Sequence, residues 1–177
     1  MNLQTKITIA APDFSIDYNS KLMMLGSCFA ENMGGKFSYY KFDVDVNPCG
    51  IIYNPLSVAN VLRLIMEGKP FGKDDLRKVG EKWVSLYHHG AFSSTDPEEC
   101  LRRINERLER ATRELRSLDL LVITWGTAWV YKHVGENMVV SNCHKIPSQE
   151  FERSRLSVED IVKEYVELIG RLREIKP

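Results

Sequence analysis

Ser27 is the residue whose setting best suits chemistry. It stands directly after the apolar run Lys21-Leu22-Met23-Met24-Leu25 and Gly26. Directly after it, Phe29, Met33, Phe37 and Tyr40 recur at helical spacing. A serine hydroxyl is a poor nucleophile until a base takes its proton and donors hold the resulting oxyanion. A strand-to-helix junction supplies part of this, because the first N–H groups of a helix are free and its dipole favours negative charge. The N–H of Ser27 itself and that of Gly50, in the turn Asn47-Pro48-Cys49-Gly50, are the candidate donors. The competing role for Ser27 is a helix N-cap, which serine fills very often.

Cys28 is the other candidate nucleophile, since a helix start lowers a thiol's pKa. Its side chain points about 100° away from that of Ser27 on a helix, so one residue faces the site and the other the interior. Cysteine is commonly buried, which assigns Cys28 to the interior. His144 is the best internal candidate for a base, as it follows a predicted strand. His88, His89 and His133 lie on predicted strands beside aromatic residues, where packing and surface roles suffice. Cys28, Cys49, Cys143 and His144 are metal-ligand types, but their spacings match no compact zinc motif, and no metal or cofactor is expected. Trp125, Trp129 and Tyr131 are suited to stacking on a sugar or acyl group, with core packing the favoured reading.

The elements that must position these residues alternate along the chain. Lys21–Leu25 and Leu120-Leu121-Val122-Ile123-Thr124 read as strands buried in a parallel sheet. The spacing predicts a helix over 27–40, weakened late by Gly34-Gly35, then a half-buried strand over Phe42–Val46. Asn54-Pro55 is an N-cap with proline at the first position, and Gly68 ends that helix. Lys82–His88 reads as a strand with Trp83, Ser85 and Tyr87 on one face. Asp96-Pro97-Glu98-Glu99 opens the clearest helix, in which Glu99 can close a capping box and Leu101, Ile104, Leu108, Ala111, Leu115 and Leu118 form the stripe. Its short length favours covering a sheet over pairing in a coiled coil. A hairpin is expected from Trp129–His133 and Asn137–Ser141. Ser157 opens the last helix, with Ile161, Val162, Tyr165, Leu168, Ile169 and Leu172 inward. This alternation implies one α/β domain with a layered sheet, and ligands bind beyond the carboxyl ends of such strands.

Composition narrows the classes. The 177 residues are 44% apolar and 27% charged with net charge zero, which argues against binding nucleic acid through bulk charge. An anionic membrane surface is likewise not favoured. The four cysteines form no C-x-x-C pair. Met1–Ala11 shows no secretory pattern, only the short alternation Ile7–Ala10, and no apolar run reaches the roughly 18 residues of a membrane span. A reduced, cytoplasmic setting is the expectation.

Four blocks taken together resemble the GSCFA family. They are Gly26-Ser27-Cys28-Phe29-Ala30 with Glu31-Asn32, Asn47–Pro55, Ile123–Tyr131, and Asn142-Cys143-His144-Lys145, in the family's order. That family is similar to SGNH hydrolases, which implies a three-layer, flavodoxin-like α/β fold with a mostly parallel sheet. It also implies Ser27 as nucleophile and Gly50 in the oxyanion hole. Where an SGNH enzyme has Gly-x-Asn, this chain has Gly126-Thr127-Ala128. Thr127, Asn142 or Asn54 would have to replace the missing amide. The C-terminal base block of such enzymes is absent, since the chain stops at Lys176-Pro177, and truncation with loss of a strand and the base is the expectation. The resemblance implies a serine ester hydrolase, with acylated carbohydrate a reasonable substrate class. The alternative is a binding domain that keeps the pocket but lacks the base. A histidine within roughly 2.6–3.2 Å of Ser27 separates the two.

Overall fold

Three parallel strands carry the site. In the computed structural model, which describes residues 12–176 together with Ile7 and Ala10, β1 (Lys21–Gly26) lies between β2 (Asp43–Val46) and β5 (Leu120–Thr124). Both pairings are parallel, and Gly26 sits in register with Thr124. Thr8 and Ile9 of the expected Ile7–Ala10 alternation lie outside the described residues.

Alternation along β1 sends its side chains to two layers. Met23 and Leu25 join a core formed with α2 (Pro55–Glu67), α3 (Pro97–Arg116) and α4 (Val158–Ile175). Met24 shares the opposite face with its register partner Val46, against which Gly34 of α1 (Cys28–Tyr39) packs. A Cβ at Gly34 would come within 2.4 Å of Val46, so this glycine permits a close approach that outweighs its low helix propensity. The helix accordingly continues to Tyr39. The α/β expectation holds, with helices on both faces of the parallel sheet.

The remaining strands depart from the mostly parallel expectation. β3 (Arg77–Val79) and β4 (Lys82–Val84) form an antiparallel pair, and β6 (Trp129–His133) lies antiparallel to both β7 (Met138–Val139) and β8 (Phe151–Arg155). Leu86, Val140 and Ile146 make a second small core, which Ser57 ties to α2 by donating to the carbonyl of Val140 at 3.0 Å.

Several local expectations need correction. β4 ends at Val84 rather than at His88, because the His88 N–H donates to the Ser85 carbonyl at 3.1 Å and turns the chain. Asp96 caps α3 by accepting from the Glu98 N–H, but Glu99 forms no capping box, since its carboxylate pairs with Arg102 and Arg103. On α4, Tyr165 and Leu168 are buried, while Val162 and Ile169 are exposed rather than inward. β5 is half-buried along its whole length, as an edge strand rather than an interior one.

Candidate active site

Ser27 lies where β1 hands over to α1, at the carboxyl end of the central strand. It is the N-cap of α1, and its Oγ accepts from the Phe29 N–H at 3.3 Å. The residue is 5% exposed, whereas Cys28 is exposed, so the expected division between the two is reversed. β1 ends at Gly26, and Ser27, the extended N-cap, turns its hydroxyl to Thr124, whereas Cys28 is the first residue of α1 and faces outward.

The main partner of Ser27 is Thr124, the last residue of β5. The two hydroxyl oxygens are 3.0 Å apart, and the Ser27 N–H donates to both the hydroxyl and the carbonyl of Thr124 at 3.1 and 3.2 Å. The Ser27 N–H is therefore engaged rather than free for an oxyanion. So is that of Gly50, which donates to the Asn47 carbonyl at 2.8 Å and closes the turn after β2. That turn requires a left-handed backbone at both ends, with φ of 42° at Asn47 and 82° at Gly50.

Asn47 holds this corner together. Its Oδ1 accepts from the Gly26 N–H at 2.8 Å, and its Nδ2 donates to Glu31 of α1 at 2.7 Å. Gly126 completes the wall opposite. Its N–H and that of Thr127 both donate to the Tyr53 carbonyl, and a Cβ built on it would lie 3.7 Å from that of Ser27. Thr124, Tyr53 and Asn47 thus gather at this corner; all three lie inside the family-like blocks, which gave them no role of their own. The signal for Thr124 was its position as the polar end of the second apolar strand.

The side chains of the other expected site residues are committed to other partners. The Thr127 hydroxyl accepts from the Trp129 N–H at 3.1 Å, and Asn142 Oδ1 accepts from the His144 N–H at 2.8 Å. Asn54 is consumed as the cap of α2, bonded to Ser57 through both side-chain atoms. His144 Nε2 donates to the Ser85 carbonyl at 2.8 Å, in the loop that also holds His88. The acceptor is a carbonyl, so this ring nitrogen carries the proton. Burial lowers the pKa of His144. None of the four histidines hydrogen-bonds to Ser27. His89 borders the turn after β2. It is exposed, stands against Gly50, and donates its backbone N–H to the Cys49 carbonyl at 2.8 Å.

Cys49 is fully buried, which pushes its thiol up to about 12 and makes it inert. No group of three or more metal-ligand side chains assembles among the described residues. No helix among them is long and apolar enough to cross a membrane. Trp125, Trp129 and Tyr131 are exposed rather than core residues, and Arg153 of β8 stacks 3.9 Å above the Trp129 ring.

His88 is buried among Phe71 and Phe92 with Nδ1 against the Ser85 hydroxyl at 2.9 Å. Desolvation, helped by the nearby His144, lowers its pKa to about 3. The folded state thus binds a proton less readily than the unfolded chain. Stability from this group is complete above pH 6.5 and falls as pH drops toward 3, by about 1.4 kcal/mol per pH unit. Urea denaturation at pH 6.5 and 4.5 is expected to show a loss about 2–3 kcal/mol larger for the parent than for His88→Phe. Equal losses would refute it.

No curated protein and no solved structure matches the chain. A family model does, over residues 21–177, from the first residue of β1 through α4 and thus across the whole corner built around Ser27. On that match, the chain belongs to the GSCFA family.

Proposed function

We propose that this domain is a serine acyl-ester hydrolase in which Ser27 is the nucleophile. The observation that carries the reading is the placement of a buried serine hydroxyl at the carboxyl end of the central parallel strand and at the head of α1. This is where ligands approach such sheets, and where a helix dipole favours an anion. Ser27 Oγ attacks the acyl carbon, the ester C–O bond breaks, and the alcohol leaves with a proton. Water then hydrolyses the acyl-enzyme and restores the hydroxyl. Thr124 orients the hydroxyl, but a threonine is no base at neutral pH, so the proton has to pass to a histidine or carboxylate brought to Ser27. Tyr53 and Trp129 are exposed beside the Gly126-Thr127 wall, which suits a sugar ring and supports acylated carbohydrate as the substrate class.

The test is reaction with a fluorophosphonate probe, read by intact mass, on the parent and on Ser27→Ala. One adduct on the parent and none on the variant is the expected result. No adduct on the parent would sink the hydrolase reading. A second reading is a binding domain that retains the corner without turnover. It is favoured by the engagement of Ser27 Oγ with Thr124 and Phe29 rather than with a histidine. Under that reading Ser27→Ala leaves the binding of acylated sugars intact, as followed by tryptophan fluorescence.

A further inference from the structure

Helix α4 carries two apolar faces but has a partner for only one. Tyr165 and Leu168 turn into the core. Val158, Val162, Val166 and Ile169 lie on the adjoining arc at 71%, 54%, 68% and 44% exposure. They line an apolar hollow of about 420 Å³ together with the ring of Trp125. Such a contiguous exposed stripe marks an interaction surface.

The charges on α4 indicate the partner. On the outward arc of α4 an exposed Glu159 stands in the first turn and an exposed Arg173 in the last, whereas Glu164 and Arg171 already pair with Arg63 and Glu67 of α2. A second α4 running antiparallel brings the first turn of one copy to the last turn of the other at both ends. Centred on Val166, that pairing places Glu159 opposite Arg173 of the other copy. It also places Val162 opposite Gly170, around which a Cβ would find nothing within 4 Å. The arrangement is self-complementary, as a two-fold interface must be.

We propose that the outer face of α4, with Trp125 at its edge, is the isologous interface of a homodimer in which two α4 helices pack antiparallel. An 18-residue helix is about 27 Å long.

The experiment is sedimentation velocity with light scattering on the parent across micromolar concentrations, beside four variants. The parent is expected to reach twice the mass of the chain, and Val162→Glu with Val166→Glu to stay monomeric with unchanged circular dichroism. Glu159→Arg and Arg173→Glu are each expected to weaken the dimer at least tenfold. The double variant Glu159→Arg/Arg173→Glu restores both pairs and is expected to recover it. A parent that is monomeric throughout overturns the proposal and leaves the face to another segment or partner. A dimer indifferent to Val162→Glu/Val166→Glu also overturns it, as does a double variant no stronger than the singles.

Discussion

Gly26→Ala is expected to destabilise the domain by about 4 kcal/mol and to abolish fluorophosphonate labelling of whatever remains folded. Two penalties add at this residue. Its φ is +124°, a backbone conformation that L side chains rarely adopt. A Cβ there would also lie 1.9 Å from the carbonyl oxygen of Thr124, which is backbone and cannot rotate away. Relief requires β1 and β5 to part at their carboxyl ends, and those ends hold Ser27 against Thr124. The same shift strains the Gly26 N–H bond to Asn47 and the Ile52 N–H bond to the Gly26 carbonyl. Urea denaturation measures the loss, and in heating it corresponds to roughly 8–16 °C for a chain of this size. Gly35→Ala is the control. It lies within α1 with nothing within 4 Å of a built Cβ, so alanine there stabilises by up to about 1 kcal/mol. A Gly26→Ala protein as stable as the parent would contradict the strained junction.

Much of this corner was legible because the chemistry is local. The apolar run ending at Gly26-Ser27, the Asn54-Pro55 cap, and the stripe on α3 each depend on residues a few positions apart, and each forms as expected. What could not be read depends on partners distant in the chain. Gly50 is the exception: its N–H closes the four-residue turn on the Asn47 carbonyl, a local bond that the reading of Asn47–Gly50 as a turn already implies. Thr124 meets Ser27 only because β1 and β5 pair in one register out of several. β8 was not foreseen, because Phe-Glu-Arg-Ser-Arg has a single apolar residue and no alternation to betray a strand. It is held by its ladder to β6 and by Arg153 over Trp129. The extent of β4 was overestimated for a related reason: the pattern continues, but Ser85 and His88 turn into the core to satisfy one another.

The histidines make the same point from the side of function. His144 lies in a family-like block and was the natural base, yet its ring is committed to the Ser85 carbonyl. Its family-like block and the strand before it made it the candidate; the second small core, built from Leu86, Val140 and Ile146, draws its loop toward the segment after β4 instead. A candidate nucleophile is therefore easier to propose from sequence than its base. The position of Ser27 is fixed by one strand and one helix, whereas a base depends on loops packed from several elements.

Arg107→Met is expected to cost about 3–5 kcal/mol. Asp45 of β2 is in register with Met23, so its side chain points to the apolar face of the sheet, and it is only 5% exposed. A carboxylate there is tolerable only with a counter-charge, which Arg107 of α3 supplies in a forked pair while also donating to the Val46 carbonyl at 3.0 Å. Removing the arginine leaves the carboxylate buried and unpaired, the costly case. Asp45→Val is expected to cost less, because the Arg107 side chain retains 23% exposure and can turn its guanidinium to water. Replacing both, as Asp45→Val/Arg107→Met, removes the charge and its need together, and the double variant is expected to be more stable than Arg107→Met alone. A double-mutant cycle by urea denaturation measures the coupling, and additive losses would refute it. The pair matters to the site through the chain that follows it. β2 runs directly into the Asn47–Gly50 turn, and Asn47 fixes the Gly26 N–H beside Ser27. Loosening Arg107 from Val46 should therefore slow labelling of Ser27 in the folded protein, although Arg107 belongs to α3 and bonds to β2 rather than to the serine.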